Sequence, residues 1–251
     1  MTENLIDLHE GVVKMNEIPG RCQCLPPTNP CPNLAIQGEA FCRSHLRSCP
    51  RKANLSGSEP EYNPDMWNKK KQIRLTHNCF SYAFNIFDKK QMEECFKSKT
   101  CHTAFHQPGK AYKKFNDADP KTCPNMIARI MGDNPNDLIT SDFDKVCPDG
   151  MSKIALIVDE SDDYHFLRQD SNGYFSQKGG SQPVTDKDAL KHRIFDVELA
   201  YHNYRNKDGG FLNYDRSCGY FCLTRNKPLF VRVGGKRQTK RNNQKLKPAI
   251  P

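Results

Sequence analysis

The run Lys153-Ile-Ala-Leu-Ile-Val-Asp159, continued by Asp163-Tyr-His-Phe-Leu-Arg168 and Tyr174-Phe-Ser-Gln-Lys178, decides the fold. The first piece is almost unbroken apolar sequence of strand length, the pattern of a strand buried on both faces. The second is another strand. Ser171-Asn172-Gly173 is a hairpin signal, so the third piece returns antiparallel beside it. Upstream the pattern changes to helical spacing. In Asn78-Cys79-Phe80-Ser81-Tyr82-Ala83-Phe84-Asn85, the residues Phe80, Ala83 and Phe84, with Phe87 beyond, fall on one helical stripe behind a capping asparagine. Lys89 to Phe96 and Asn125 to Met131 also read as helices, and His106-Gln107-Pro108-Gly109 as a turn. Helices first and an antiparallel meander afterwards make an α+β domain.

The chain has 251 residues, enough for one sizeable core with a smaller unit beside it. No apolar run reaches membrane-spanning length, so no membrane partner is expected. The start, Met1-Thr-Glu-Asn-Leu-Ile-Asp7, has acids where a secretory leader needs basic and then apolar residues. A cytoplasmic or virion location follows. In that setting twelve cysteines point to metal binding and thiol chemistry rather than to disulfides. The net charge of +9 is concentrated: residues 227–251 hold eight Lys or Arg and no acid, which leaves +1 for everything before them. The folded part therefore has no electrostatic footprint for nucleic acid. A tail of that composition is expected to meet nucleic acid through its phosphates, with little sequence choice.

Five cysteines and a histidine crowd between Arg21 and Cys49. Cys42 and His45 lie three apart, close enough to hold one ion from a tight turn, and Cys31 precedes them. With Cys22, or Cys24 in its place, they form a closed tetrahedral three-sulfur, one-nitrogen set, the chemistry of structural zinc. So short a segment has too little apolar surface to fold without such help. Cys49 is left as a spare thiol. The order Cys22-x8-Cys31-x10-Cys42-x2-His45 resembles the plant WRC zinc-binding motif, differing by one residue in the first gap.

Cys79 sits in the first turn of its helix, where the partial positive charge of the helix start favours thiolate. A thiolate nucleophile needs a base, and the base needs a group to hold its ring. His165, on a strand directly after a buried strand, is the base candidate. The third group follows from hairpin parity. A three-residue loop with Gly173 left-handed pairs residues 167 and 177 and puts Gln177 on the face of His165. A two-residue turn puts Ser176 there instead, and Asp170 is a further alternative. Cys218 and Cys222, in Cys218-Gly-Tyr-Phe-Cys222, read as core thiols.

Cysteine at a helix start, histidine on a strand and a polar residue on the next strand is the order of the papain-like superfamily, and it resembles the NlpC-type peptidases within it. Asn78 to Asn85, Gln107-Pro108-Gly109, Tyr164 to Gly173 and Cys218 to Cys222 resemble a group found in bacteria and large DNA viruses. The resemblance implies a papain-like domain with Cys79 as nucleophile and His165 as base. Gln177 stands where histidine is common. The expected organisation is an arm over 1–18, a zinc unit over 19–50, a linker over 51–71, the papain-like domain over 72–226 and a basic tail over 227–251. The expected function is a cysteine-dependent peptidase or amidase acting on a peptide or amide substrate. The alternative is a virion structural or interaction protein that keeps the fold and binds other virion proteins.

Overall fold

The structure, a computed structural model, describes residues 15–98, 105–205 and 211–225. The basic tail and most of the N-terminal arm lie outside these residues. Among the described residues five helices all come before the strands: α1 (Pro64–Asn68), α2 (Lys71–Thr76), α3 (Cys79–Ala83), α4 (Lys89–Ser98) and α5 (Cys123–Asp133). The strands are β1 (Leu138–Ser141), β2 (Met151–Asp159), β3 (Asp163–Gln169), β4 (Phe175–Lys178), β5 (Val184–Thr185) and β6 (Arg216–Thr224). They form one antiparallel sheet in the order β1-β6-β2-β3-β4-β5. The α+β expectation thus holds at the level of class and sheet.

β2 is buried along almost its whole length, as its apolar run requires. Its alternate residues feed two cores. Ile154, Leu156 and Val158 join Tyr164 and Phe166 of β3 beneath α3 and α5. There the rings of Phe80 and Phe84 each stand 5.5 Å from that of Phe166. Ala155 and Ile157 join Leu167 and Phe175 on the opposite face, under Phe195, Tyr214 and the cysteine-rich segment. Between Ala155 and Ile157 the pairing with β6 slips by one residue. The extra residue is taken up near Gly219, whose φ of +90° a side chain would strain.

α3 is shorter than its apolar stripe suggests. Asn85 turns left-handed at φ +52° and ends the helix, so Phe87 leaves the stripe and stacks on His77 at 5.3 Å. The segment expected to be a linker is instead fastened to the body. Arg51 pairs with buried Asp196 and lies 3.8 Å above the Phe143 ring. Ser56 donates to Met151 O at 2.6 Å, and Ser171 N donates to Pro60 O at 2.9 Å. Trp67 of α1 is buried edge-on against Tyr82, 5.1 Å away. Polar composition misled because these residues are consumed by hydrogen bonds to the sheet rather than by water. The cysteine-rich unit is likewise continuous with the second core, not separate from it.

Three disulfides join described cysteines: Cys24–Cys49, Cys123–Cys218 and Cys147–Cys222. Cys95 is also disulfide-bonded. The readings of Cys49 as a spare thiol and of Cys218 and Cys222 as core thiols are therefore overturned. Spacing along the chain could not reveal these pairs, because the partners lie 25, 95 and 75 residues apart. Among the described residues no helix is long and apolar enough to cross a membrane.

Replacing Trp67 by Ala should lower the unfolding free energy by about 3 to 5 kcal/mol, the usual cost of emptying a buried aromatic site. Urea denaturation followed by circular dichroism measures this. A loss under about 1 kcal/mol would mean that residues 51–71 lie loosely on the sheet after all.

Candidate functional site

Asn78 builds the start of α3. Its Oδ1 accepts from Ser81 N and Ser81 Oγ, both at 3.1 Å, while its Nδ2 donates to His106 O at 2.9 Å. Cys79 follows in the first turn and is almost entirely buried. Its Sγ–H points to the Tyr164 carbonyl at 3.9 Å. Burial pushes the thiol up to about 12, the negative charge of Asp163 adds to the rise, and hydrogen bonds from the Phe166 and Phe80 backbone offset only part of it. A five-residue helix has too small a dipole to reverse this. The expected thiolate is thus not the resting state, and Cys79 is a neutral thiol.

β3 and β4 pair Leu167 with Gln177, the register of the three-residue loop. His165 Nε2 lies 2.8 Å from Gln177 Oε1. Which way the amide faces is fixed by its other end: Gln177 Nε2 donates to Lys187 O at 2.5 Å, and a carbonyl can only accept. Oε1 must therefore face the ring, and His165 must carry its proton on Nε2. Its Nδ1 is left as the acceptor, which is the atom a general base uses. Tyr204 sits beside the same amide, its hydroxyl 2.9 Å from Gln177 Nε2. The ring stacks on Tyr214 at 5.2 Å, and Tyr214 is itself tethered to Asp163 by a 2.9 Å hydrogen bond. Burial pulls the His165 imidazole down to about 4, and the Gln177 hydrogen bond works against that fall.

Cys79 and His165 approach from different layers. Cys79 packs with Tyr164 and Phe166 on the helix face, whereas the His165 ring stands on the opposite face with Tyr214 and Gln177. They meet at β3, with the sulfur at the carbonyl of the residue preceding His165. Among the described residues no hydrogen bond joins Sγ to the ring. The alternatives for the third group are occupied elsewhere: Ser176 holds the Tyr82 hydroxyl at 2.6 Å, and Asp170 holds Arg168 at 2.9 Å. Sequence reasoning missed Lys187, Tyr204 and Tyr214, none of which belongs to a local pattern. Gln107, which accepts from the Tyr164 hydroxyl, was visible only as part of a turn.

Cys22, Cys31, Cys42 and His45 converge, and their ligand atoms all lie within 4.8 Å of one another. Cys31 and Cys42 sulfurs are 4.0 Å apart, and His45 Nδ1 is 3.5 Å from the Cys22 sulfur and 3.4 Å from that of Cys42. A tetrahedron with zinc bond lengths places two sulfurs about 3.8 Å apart and a sulfur and nitrogen about 3.5 Å apart. The residues fit such an ion. Burial opposes ionisation of both Cys22 and Cys42. It prevails at Cys22, whose thiol is pushed up to about 12, whereas at Cys42 hydrogen bonds from Ser44, the His45 backbone, Cys22 and Cys31 outweigh it and bring the thiol down to about 6. The Cys42 N–H also donates to the Cys22 sulfur at 3.2 Å, an interaction that favours bound thiolate. These three cysteines stay unpaired in a chain that oxidises its other described cysteines except Cys79. Cys24 is excluded as a substitute ligand by its bond to Cys49.

No family model matches the chain, and no solved structure matches it. Insoluble matrix shell protein 1 of Ruditapes philippinarum is 29% identical to it over 140 residues, 55% of this chain and 79% of that protein.

The imidazole of His165 should remain neutral, protonated on Nε2, from pH 8 down to about 5. Its value is about 4 in the fold against an ordinary 6.5, so the fold loses stability as pH falls through that interval. Nitrogen-15 shifts of the ring during a pH titration measure this. A midpoint near 6.5 would show that the ring is solvated instead.

Proposed function

We propose that the chain is a cysteine-dependent acyl hydrolase, a peptidase or amidase, in which Cys79 is the nucleophile, His165 the base and Gln177 the group that holds the ring. The observation that carries this reading is the hydrogen bond from His165 Nε2–H to Gln177 Oε1, which leaves Nδ1 as the basic atom on β3, the strand whose Tyr164 carbonyl the Cys79 sulfur meets. The resting pair is thiol and imidazole, not thiolate and imidazolium, because both groups are buried and Gln177 adds no negative charge. The mechanism is therefore general-base assisted. Sulfur and ring stand on opposite faces of β3, so the reaction requires the Cys79 side chain to turn from the Tyr164 carbonyl toward the ring when substrate binds. His165 Nδ1 then takes the thiol proton as sulfur bonds to the substrate carbonyl carbon. The same proton then passes to the leaving amine as the C–N bond breaks. Water, deprotonated by His165, releases the acid and restores the thiol.

The Cys22, Cys31, Cys42 and His45 cluster is read as a structural zinc site, with all four positions filled by protein and none left for substrate. The disulfides favour an oxidising compartment over the cytoplasm.

A second reading has a specific observation behind it. The disulfides and the likeness to a shell matrix protein favour a stapled structural component in which His165 and Gln177 serve packing alone. Incubation of the full chain with p-nitrophenyl acetate, followed by peptide mapping, separates the two. An acetyl group on Cys79, absent from His165→Ala and formed about 10- to 100-fold more slowly in Gln177→Ala, is the expected result. The rate should be level from about pH 5 to 8 and fall only as the imidazole protonates near 4. No adduct on Cys79 at any pH would leave the structural reading. Elemental analysis should find one equivalent of zinc, and Cys42→Ser should lose it.

A further inference from the structure

Resting on the reading of His165 as base, we propose that the Cys22, Cys31, Cys42 and His45 centre positions the His165–Gln177 pair, through a loop that it grips at both ends.

The loop runs from Asp186 to Arg193. It is closed on itself: Lys187 and Arg193 face each other in a bridge, and the Asp188 carboxylate accepts from Leu190 N and His192 N, both at 2.9 Å. One grip is Lys187 Nζ, which donates to Gly38 O at 2.6 Å. Gly38 lies between ligands Cys31 and Cys42, in a turn closed by Ile36 N donating to Phe41 O at 2.9 Å. The other is Gln23, between Cys22 and Cys24, whose buried amide donates to Arg193 O at 2.9 Å and accepts from Phe195 N at 2.6 Å. Lys187 thus touches the metal unit with its side chain and Gln177 with its main-chain carbonyl.

The consequence is chemical. While the Lys187 carbonyl is fixed, the Gln177 amide cannot turn, and His165 keeps its proton on Nε2. Residues 19–50 contain no helix or strand of their own among the elements, so the ligand cluster and the Cys24–Cys49 disulfide are what shape the turn around Gly38. Without the ion, Gly38 and Gln23 lose their fixed places and the Lys187 carbonyl moves off Gln177 Nε2. The amide is then free to rotate and present its NH2 to Nε2. That orientation stabilises the other tautomer, whose Nδ1 carries the proton and cannot accept one from Cys79.

The experiment uses the full zinc-loaded chain with its disulfides intact, the same chain after chelation, and the variants Lys187→Met and Lys187→Arg. Nitrogen-15 shifts report the His165 tautomer, and acetylation of Cys79 by p-nitrophenyl acetate reports the base. The zinc-loaded protein should show the Nε2–H form alone. Chelation and Lys187→Met should each give a mixture of tautomers and slow acetylation about 10- to 100-fold, while Lys187→Arg should stay near the parent. Lys187→Met retains all four ligands, so it decides the matter even where chelation unfolds the chain. An unchanged tautomer in zinc-free folded protein or in Lys187→Met overturns the coupling. A tautomer that shifts in a protein whose Cys79 never accepts acetyl supports the coupling and removes the hydrolase reading instead.

Discussion

The double burial of β2 is the constraint on which the structure depends. A strand whose odd and even residues are both apolar must be covered twice, and among the described residues helices supply only one cover. The second is irregular backbone, whose N–H and C=O groups need partners one by one. That need explains an otherwise disparate set of features on the same side of the sheet: the cysteine cluster, the buried Arg51–Asp196 pair, the Gln23 amide with its main-chain contacts, and Tyr220 donating to Asp196 at 2.6 Å. They do by covalent, ionic and hydrogen-bonding means what a helix does by repetition.

The same arrangement sets the character of the candidate site. Cys79 comes from the helical cover and His165 faces the irregular one, so the sheet itself lies between the layers that would have to cooperate. Burial from both sides holds thiol and imidazole neutral. With Gln177 in place of a carboxylate there is no fixed negative charge to favour imidazolium, and control passes to the orientation of hydrogen bonds. In the proposed reading, tautomer rather than ionisation is the property that the surroundings regulate.

Much of the frame was legible because it rests on local periodicity. The β2–β3–β4 meander, the hairpin register at Leu167 and Gln177, and the helices over α4 and α5 follow from spacing and turn residues. The Cys/His cluster that could hold a metal was legible because its four residues lie within 24 residues of one another. The linker was misread because hydrogen-bonded burial of Ser, Glu and Arg has the same composition as solvation. The thiolate was misread because the sequence displays a helix start but not the desolvation around it.

The sequence by itself determined the alternation that buries β2, the turn that pairs β3 with β4, and the ligand types of the cysteine-rich unit, since each depends on residues close along the chain. Tertiary structure alone decided which cysteines are oxidised, where β6 inserts, and that the Lys187 carbonyl fixes the Gln177 amide. Those depend on meetings across tens of residues, where no local pattern carries the information and the geometry of the packed core chooses the partner.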